Sequence, residues 1–476
     1  MRALTIRLLL ALVLAASPAL AGSDDYAHVE GNVEKHLDEH GTLALRLWDI
    51  AEVGYQEHES SKLLQAALLK AGFTIEEGVT GMPTAFLAEY GEGEPVVAML
   101  AEFDALPGMS QRAEPTRQPR VDGAAGHACG HHLFGAGTVA AAVAVKDWLE
   151  TTGTPGTLRV YGTPAEEGGA AKAYMARDGL FEDADIALHW HPFDRNEVSF
   201  KTSLANRSAK FRFVGAPAHA AHSPEKGRSA LDGVEAMNFM VNMLREHVPQ
   251  ETRIHYVITD GGDAPNIVPG EAEVFYYVRH PEPSELKKIW TRVVAASEGA
   301  ARGTGTKVNH EIIHGVNSLL PNEALSRRAH ANLERIGGVE YDAEELAFAL
   351  ELAKSLADPS RAIGSEKEIR PFELELTSSS TDVGDVSWVV PTTGVRTATW
   401  VPGTPPHSWQ AVAAGGTSIG IKGMGQAAKA LAATAVDIFL DDELVAEAKA
   451  EHARRRKGKP YESLIGDRSP PLDYRG

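Results

Sequence analysis

The sequence predicts an α/β protein: a mostly parallel central sheet, interrupted by a smaller α+β insertion. Three observations predict it. Strand-length and helix-length apolar runs alternate through the first part of the chain. The runs Pro95 to Leu100 and Ala184 to His189 are apolar almost throughout, as strands buried on both faces are. From about Lys201 the texture changes to apolar–polar alternation, the pattern of antiparallel strands with one wet face.

Taken in order, Arg2 and Arg7 precede an apolar stretch from Leu8 to Ala16, and Ala19-Leu20-Ala21 offers small residues for cleavage. Residues 1–21 therefore read as an export signal, and the mature chain as periplasmic or secreted. Leu37 to Ala51 and Ser60 to Ala71 read as helices, the second stopped by Gly72. Phe73 to Ile75, Thr84 to Tyr90 and Pro95 to Leu100 read as strands. Leu133 to Leu149 is rich in Ala and Val and reads as a buried helix. Thr157 to Gly162 and Ala184 to His189 are the next strands. Residues 22–200 thus form the first part of a catalytic domain.

Residues 201–315 form the insertion. Lys210 to Val214, Arg253 to Ile258 and Ala272 to Arg279 alternate, and Ser229 to His247 and Pro283 to Ala301 read as helices. Residues 316–445 return to the first domain, with Asp342 to Arg370 as surface helix. Residues 446–476 are a polar tail, and its run Arg454-Arg455-Arg456-Lys457 reads as a solvated helix end.

Composition limits the function. Lys plus Arg number 46 against 65 for Asp plus Glu, a formal charge of −19. That argues against nucleic acid or an anionic membrane as partner, and leaves room for an anionic small substrate read by a local Arg. The chain holds one cysteine, so no internal disulfide framework exists and stability must come from a large core.

That cysteine sits in Gly126-His127-Ala128-Cys129-Gly130-His131-His132. Cys129 and His131 are two apart on a glycine-containing turn, so both can face one point. Glu166-Glu167, His189-Trp190-His191-Pro192 and His407 follow. Thiolate, imidazole and carboxylate are the ligand set of zinc and manganese. A buried Cys alone is usually a small hydrophobe, and a Glu-Glu pair usually a solvated face. Jointly they read as a binuclear centre for two divalent ions, Zn or Mn, because three motifs fall just beyond predicted strand ends, where open α/β sheets gather ligands. Cys129, His131, Glu167, His191 and His407 are the candidate ligands. Glu166, beside a ligand yet free of metal, is placed for general acid/base work. Asp104 reads as the carboxylate that orients a ligand imidazole.

Three further residues stay open. His219, in Pro217-Ala218-His219-Ala220-Ala221-His222, either donates to a developing oxyanion or is a turn histidine on backbone. Asn266 either contacts a substrate carbonyl or carboxylate, or makes an Asx-turn. Arg279 either clamps a carboxylate or forms a surface ion pair.

These motifs, with Ala218 to Ala230, Ser379 to Trp388 and Gly403 to Gln410, resemble the metal-dependent aminoacylase and carboxypeptidase-G superfamily, in the branch that uses Cys as a ligand. The resemblance runs from about residue 30 to about 445. It implies a di-metal peptidase-like catalytic domain with an inserted lid or dimerisation domain. It implies ligation by Cys129, His131, Glu167, His191 and His407, with Glu166 as base. It implies that His219 reaches a neighbouring protomer's site, and that Asn266 and Arg279 contact a terminal carboxylate. Some branches place the ligand at the position of His189; the His-Pro pairing favours His191. The reaction expected is hydrolysis of an amide joining an acyl or aminobenzoyl group to an amino acid. The rivals are a dipeptidase or carboxypeptidase, a noncatalytic binder, and a subunit active only with a partner chain. The export signal points to external substrates, and the assembly to a homodimer or a paired subunit.

Overall fold

A computed structural model describes residues 21–357 and 361–475. The expected export signal, Ala21 apart, lies outside the described residues.

The central sheet has seven strands in the order Thr74–Glu77, Phe86–Glu92, Gly156–Gly162, Val96–Ala101, Ile186–Phe193, Thr392–Ala398, Glu197–Val198. Four of them, from Gly156–Gly162 to Thr392–Ala398, run parallel, and the flanking strands are antiparallel. The parallel strands are the near-continuous apolar runs, because helices cover both faces. On one face lie the helices His131–Thr152 and Ser418–Leu440. On the other, Ala171–Arg177 and Val383–Val389 pack over Tyr161, Phe181 and Leu100.

His131–Thr152 is buried around its circumference as far as Ala142, which its Ala- and Val-rich sequence permits. Its Gly137 is a point of close approach: a Cβ there would lie 2.7 Å from the Trp190 ring and 2.9 Å from Met424 Cγ. The helix His58–Ala71 stops at Gly72, which takes the left-handed conformation at φ 98°.

The inserted unit is a four-stranded antiparallel sheet, ordered Lys307–Val316, Ala205–Val214, Glu271–His280, Arg253–Asp260. Helices Ala230–Leu244 and Pro283–Thr304 cover one face, around a core of Phe211, Phe213, Val274, Tyr276 and Trp290. Among the described residues no helix is long and apolar enough to cross a membrane.

Several elements differ from expectation. The strand Lys307–Val316 and the helices Ser23–Lys35, Glu323–Ile336 and Ser418–Leu440 were not foreseen. The surface helix expected from Asp342 to Arg370 ends at Ala353. A single 3₁₀ turn, Ser365–Lys367, follows it. The apolar spacing that supported a longer helix stops where Ser355, Asp358 and Pro359 enter the sequence.

Gly137→Val should cost about 2–3 kcal/mol of stability through overpacking, read as a lower denaturation midpoint with an unchanged m-value. An unchanged midpoint would show that this helix pair packs more loosely than the structure has it.

Candidate metal centre

Four parallel strands deliver the site. Val96–Ala101 runs directly into Glu102 and Asp104, and Gly156–Gly162 into the loop of Glu166 and Glu167. His191 lies near the end of Ile186–Phe193, and Thr392–Ala398 leads to the loop of His407. Two non-glycine residues here have positive φ, Ala165 at 55° and His407 at 57°. Such strain persists only where surroundings over-determine it. His407 is held by its own N–H, which donates to Ala128 O at 2.9 Å. Gly130 begins the helix of His131 at φ 79°. A Cβ there would be 2.6 Å from Pro192, so the turn that presents Cys129 requires glycine.

The structure brings together all five expected ligands. Three groups each have donor atoms within 4.8 Å of one another: Cys129, His131 and His191; Cys129, Glu167 and His407; Glu102, His131 and Glu166. Cys129 Sγ lies 3.5 Å from His191 Nε2, and His407 Nε2 lies 3.0 Å from Glu167 Oε1. His131 Nε2 lies 3.1 Å from Glu102 Oε2.

The imidazoles are oriented from behind. His131 Nδ1 meets Asp104 Oδ1 at 2.8 Å, and His191 Nδ1 meets the Pro192 carbonyl at 2.7 Å. A proton on each Nδ1, the tautomer these partners select, leaves each Nε2 lone pair facing the cluster. His131 Nε2, Glu102 Oε2 and Glu167 Oε1 are buried and have no aligned hydrogen bond. Buried polar atoms are nearly always paired. Convergent sulfur, nitrogen and oxygen donors, three of the nitrogen and oxygen atoms without an aligned hydrogen bond, fit a pair of divalent cations.

Electrostatics agree. Burial raises the Cys129 thiol well above its ordinary pKa, and Glu167 raises it further. Burial also raises Glu166, aided by Glu102, Glu167 and Asp382. For His131 burial opposes the charged form, yet Cys129, Asp104 and Glu102 together hold it well above its usual value. An acidic cavity this dry calls for compensating positive charge.

Sequence reasoning missed part of the machinery. Glu102 is 1 % exposed. Its Oε1 pairs with Lys172 Nζ at 2.9 Å, and the same Nζ meets Asp382 Oδ1 at 2.6 Å. Glu57, fully buried, accepts from the Ala165 N–H at 2.8 Å and holds the loop entering Glu166. The available signal for Glu102 was its spacing of two from Asp104 just past a buried strand. Asp385, in the Ser379 to Trp388 motif, accepts from Asn317 and Tyr461 rather than facing the cluster. His189 lies against Gly394, where a Cβ would be 2.7 Å from its Nε2. Burial pushes its pKa down to about 3, and it joins none of the three donor groups.

Three expected residues are not brought to the cluster within this chain. His219 sits on an exposed turn of the inserted unit, its Nδ1 accepting the N–H groups of Ala221 and His222 at 3.2 and 3.1 Å. Asn266 is exposed beside it and takes the Ala220 N–H on its backbone carbonyl. Arg279 lies at the other end of the inserted sheet, paired in register with Asn206 and Arg253, its guanidinium over the Tyr277 ring. The length of strand from Glu271 to Arg279 puts roughly 26 Å of extended chain between Arg279 and the Asn266 loop. One small substrate in one chain cannot touch both.

Known proteins are similar to this chain in sequence and in fold. Residues 98–367 match the family model of peptidase family M20/M25/M40. A p-aminobenzoyl-glutamate hydrolase subunit from Escherichia coli (strain K12) is 40% identical over 467 residues, 92% of this chain and 97% of that one. That relative is the B subunit of its enzyme, and the sequence motifs resemble the same subunit. The Xaa-Arg dipeptidase of Mus musculus is 29% identical over 91% of this chain and 95% of its own. A dinuclear metal-binding M20 peptidase of Bacillus subtilis superposes with a TM-score of 0.57 at 17% identity, over 83% of this chain and 98% of that one.

Metal uptake should strengthen with rising pH. The raised Cys129 thiol must give up its proton to ligate, so protons compete with metal at low pH. Chelator competition between about pH 6 and about pH 8 should show rising affinity, with protons released on Zn²⁺ addition. A flat profile would remove Cys129 from the ligand set.

Proposed function

Because the chain belongs to peptidase family M20/M25/M40, we propose that it hydrolyses the amide bond between an acyl or aminobenzoyl group and a carboxylate-bearing amino acid. The observation that carries this reading is the Glu166 carboxyl, next to Glu167 and within 4.8 Å of Glu102 and His131 donors, at the edge of a cluster of thiol, imidazole and carboxylate groups. The chain is a metal-dependent amidohydrolase, and the substrate is the inference.

Cys129, His131, Glu167, His191 and His407 would hold two divalent ions, zinc or manganese. When bound, these supply Lewis acidity to the scissile carbonyl and to water. Glu166 takes the proton of the attacking water and delivers it to the departing amine. Its raised pKa suits the proton-accepting half of that task, since a carboxylate of ordinary acidity takes up and holds a proton poorly at neutral pH. Asp104 keeps His131 in its ligating tautomer.

The p-aminobenzoyl-glutamate hydrolase of Escherichia coli supports an aminobenzoyl-amino acid substrate. The Xaa-Arg dipeptidase supports the second reading, cleavage of a dipeptide. The leader-like residues 1–21 favour an external, periplasmic or secreted enzyme, and so external N-acyl amino acids. A homodimer is supported by the outer strand Arg253–Asp260, which leaves Tyr256, Val257 and Ile258 37%, 55% and 40% exposed. A second copy would also offer His219 and Asn266 to this chain's donor cluster, which they do not reach within one chain. That the Escherichia coli relative is itself named as one of several subunits supports the alternative of a paired, different chain.

The purified single chain, loaded with Mn²⁺ or Zn²⁺, is expected to cleave p-aminobenzoyl-glutamate or N-acyl amino acids faster than dipeptides. The reverse order selects the dipeptidase reading. Glu166→Gln should lower kcat by about 10³-fold with two metal ions per chain retained, measured by elemental analysis. Undiminished turnover would take the acid/base role from Glu166.

A further inference from the structure

Beyond the helix Asp442–Arg456 the chain does not run off into solvent. It first crosses the base of the inserted unit. Arg207, on the strand Ala205–Val214, donates from Nε to Leu464 O at 2.8 Å. Leu464 is buried against Ala205 and Leu286. The fit is close: a Cβ on Gly315 would lie 2.5 Å from the Leu464 backbone. Arg468 donates to the Ile313 carbonyl.

The segment then passes along the catalytic unit. Arg177 Nη1 donates to the Arg468 carbonyl at 2.6 Å, and Gln56 Nε2 to Leu472 O at 2.9 Å. Tyr474 packs edge-on against Tyr55, ring centroids 5.8 Å apart. Its hydroxyl occupies the space where a side chain on Gly54 would begin, 2.2 Å from that Cβ position.

It ends on the ligand loop. Arg475 Nη2 donates to the Glu167 carbonyl at 2.7 Å, and Tyr474 OH approaches the same oxygen at 3.4 Å. The Glu167 N–H is held from the opposite side by Asp104 Oδ2 at 2.9 Å. Both peptide groups that set the direction of the Glu167 side chain are therefore pinned from outside the loop. The loop needs this, because Gly168, at φ 115°, and Gly169 follow and supply little backbone stiffness.

We propose that Glu462 to Arg475 form a strap tying the base of the inserted unit to the Glu166–Glu167 loop, and that Arg475 is a positioning residue aiming Glu167 at the metal. The strap rests on the functional reading above and adds to it a mechanical link between the inserted unit and the ligand shell. Arg475 touches neither metal nor reacting atoms; it acts through the Glu167 backbone.

The test compares Arg475→Ala, Arg475→Lys and Arg207→Ala in the full chain. Zn²⁺ and Mn²⁺ affinity is read by chelator competition, and the thermal midpoint by calorimetry on metal-free protein. Arg475→Ala should weaken metal binding about tenfold, the scale on which outer partners of ligands act, with the metal-free midpoint unchanged. Arg475→Lys should recover most of it, since an ammonium also donates to a carbonyl. Arg207→Ala, which cuts the far end of the strap, should shift metal affinity in the same direction by less. If Arg475→Ala fails to fold, Tyr474→Phe removes one hydroxyl and should weaken binding by about twofold. Unchanged metal affinity in Arg475→Ala, or a lowered midpoint without loss of affinity, would overturn the strap and leave the functional reading intact. Absence of metal binding in the unaltered chain would instead overturn that reading, and the strap with it.

Discussion

The site depends on one carboxylate. Asp104 spends its two oxygens on two different loops: Oδ1 on His131 Nδ1 at 2.8 Å and Oδ2 on the Glu167 N–H at 2.9 Å. It thereby joins the helix that starts at His131 to the loop after Gly156–Gly162, and fixes two candidate ligands in one frame. Burial opposes its charge, but His131 and the Glu167 amide outweigh that and hold its carboxyl below the usual range. It can do so only because the strand Val96–Ala101 is central and parallel, and releases it at the carboxyl edge of the sheet. Removing one partner of such a buried pair costs about 3–5 kcal/mol; here it would also free a ligand tautomer.

Around this anchor, acidic groups accumulate faster than protein cations can neutralise them. Glu102, Glu166, Glu167 and Asp382 share the cavity, and the lysine buried among them is Lys172, held by Glu102 and Asp382. These two acids keep Lys172 protonated, and burial still raises the carboxyls of Glu102 and Asp382. The imbalance has a direction. It lies toward His407, whose side chain is 55% exposed, so the excess of donors opens where substrate and ions can enter. Lys172 guards the closed side.

The sequence made legible what is local. Cys129 and His131 share a turn that opens a helix, and Glu166 and Glu167 are neighbours just past a strand that its own apolar residues declare. Glu102 was not legible, because its meaning comes from Lys172 and Asp382, and an acid just after a strand otherwise reads as a turn residue. The segment Glu462 to Arg475 was read as polar tail for a related reason. Its Arg, Asp and Pro residues carry no period of 2 or 3.6, and what fixes it is hydrogen bonding, through its own backbone carbonyls and the Arg475 side chain, with elements hundreds of positions away. The strand Lys307–Val316 was missed because His310 and His314 blur its alternation.

The inserted unit shows why motif and geometry can disagree without either misleading. His219, Asn266 and Arg279 are the residues a family resemblance assigns to the substrate, and in one chain they occupy opposite ends of one antiparallel sheet. A rigid sheet cannot fold its tip back on its base. In the dimer proposed above, the tip residues would serve the other copy's cluster. That dimer would place half of the substrate recognition in trans and make the orientation of the inserted unit a determinant of turnover. An element that must present its tip accurately across an interface needs a firm base. The base here is where Arg207, Gly315 and Leu464 close on one another, at the root of the same sheet.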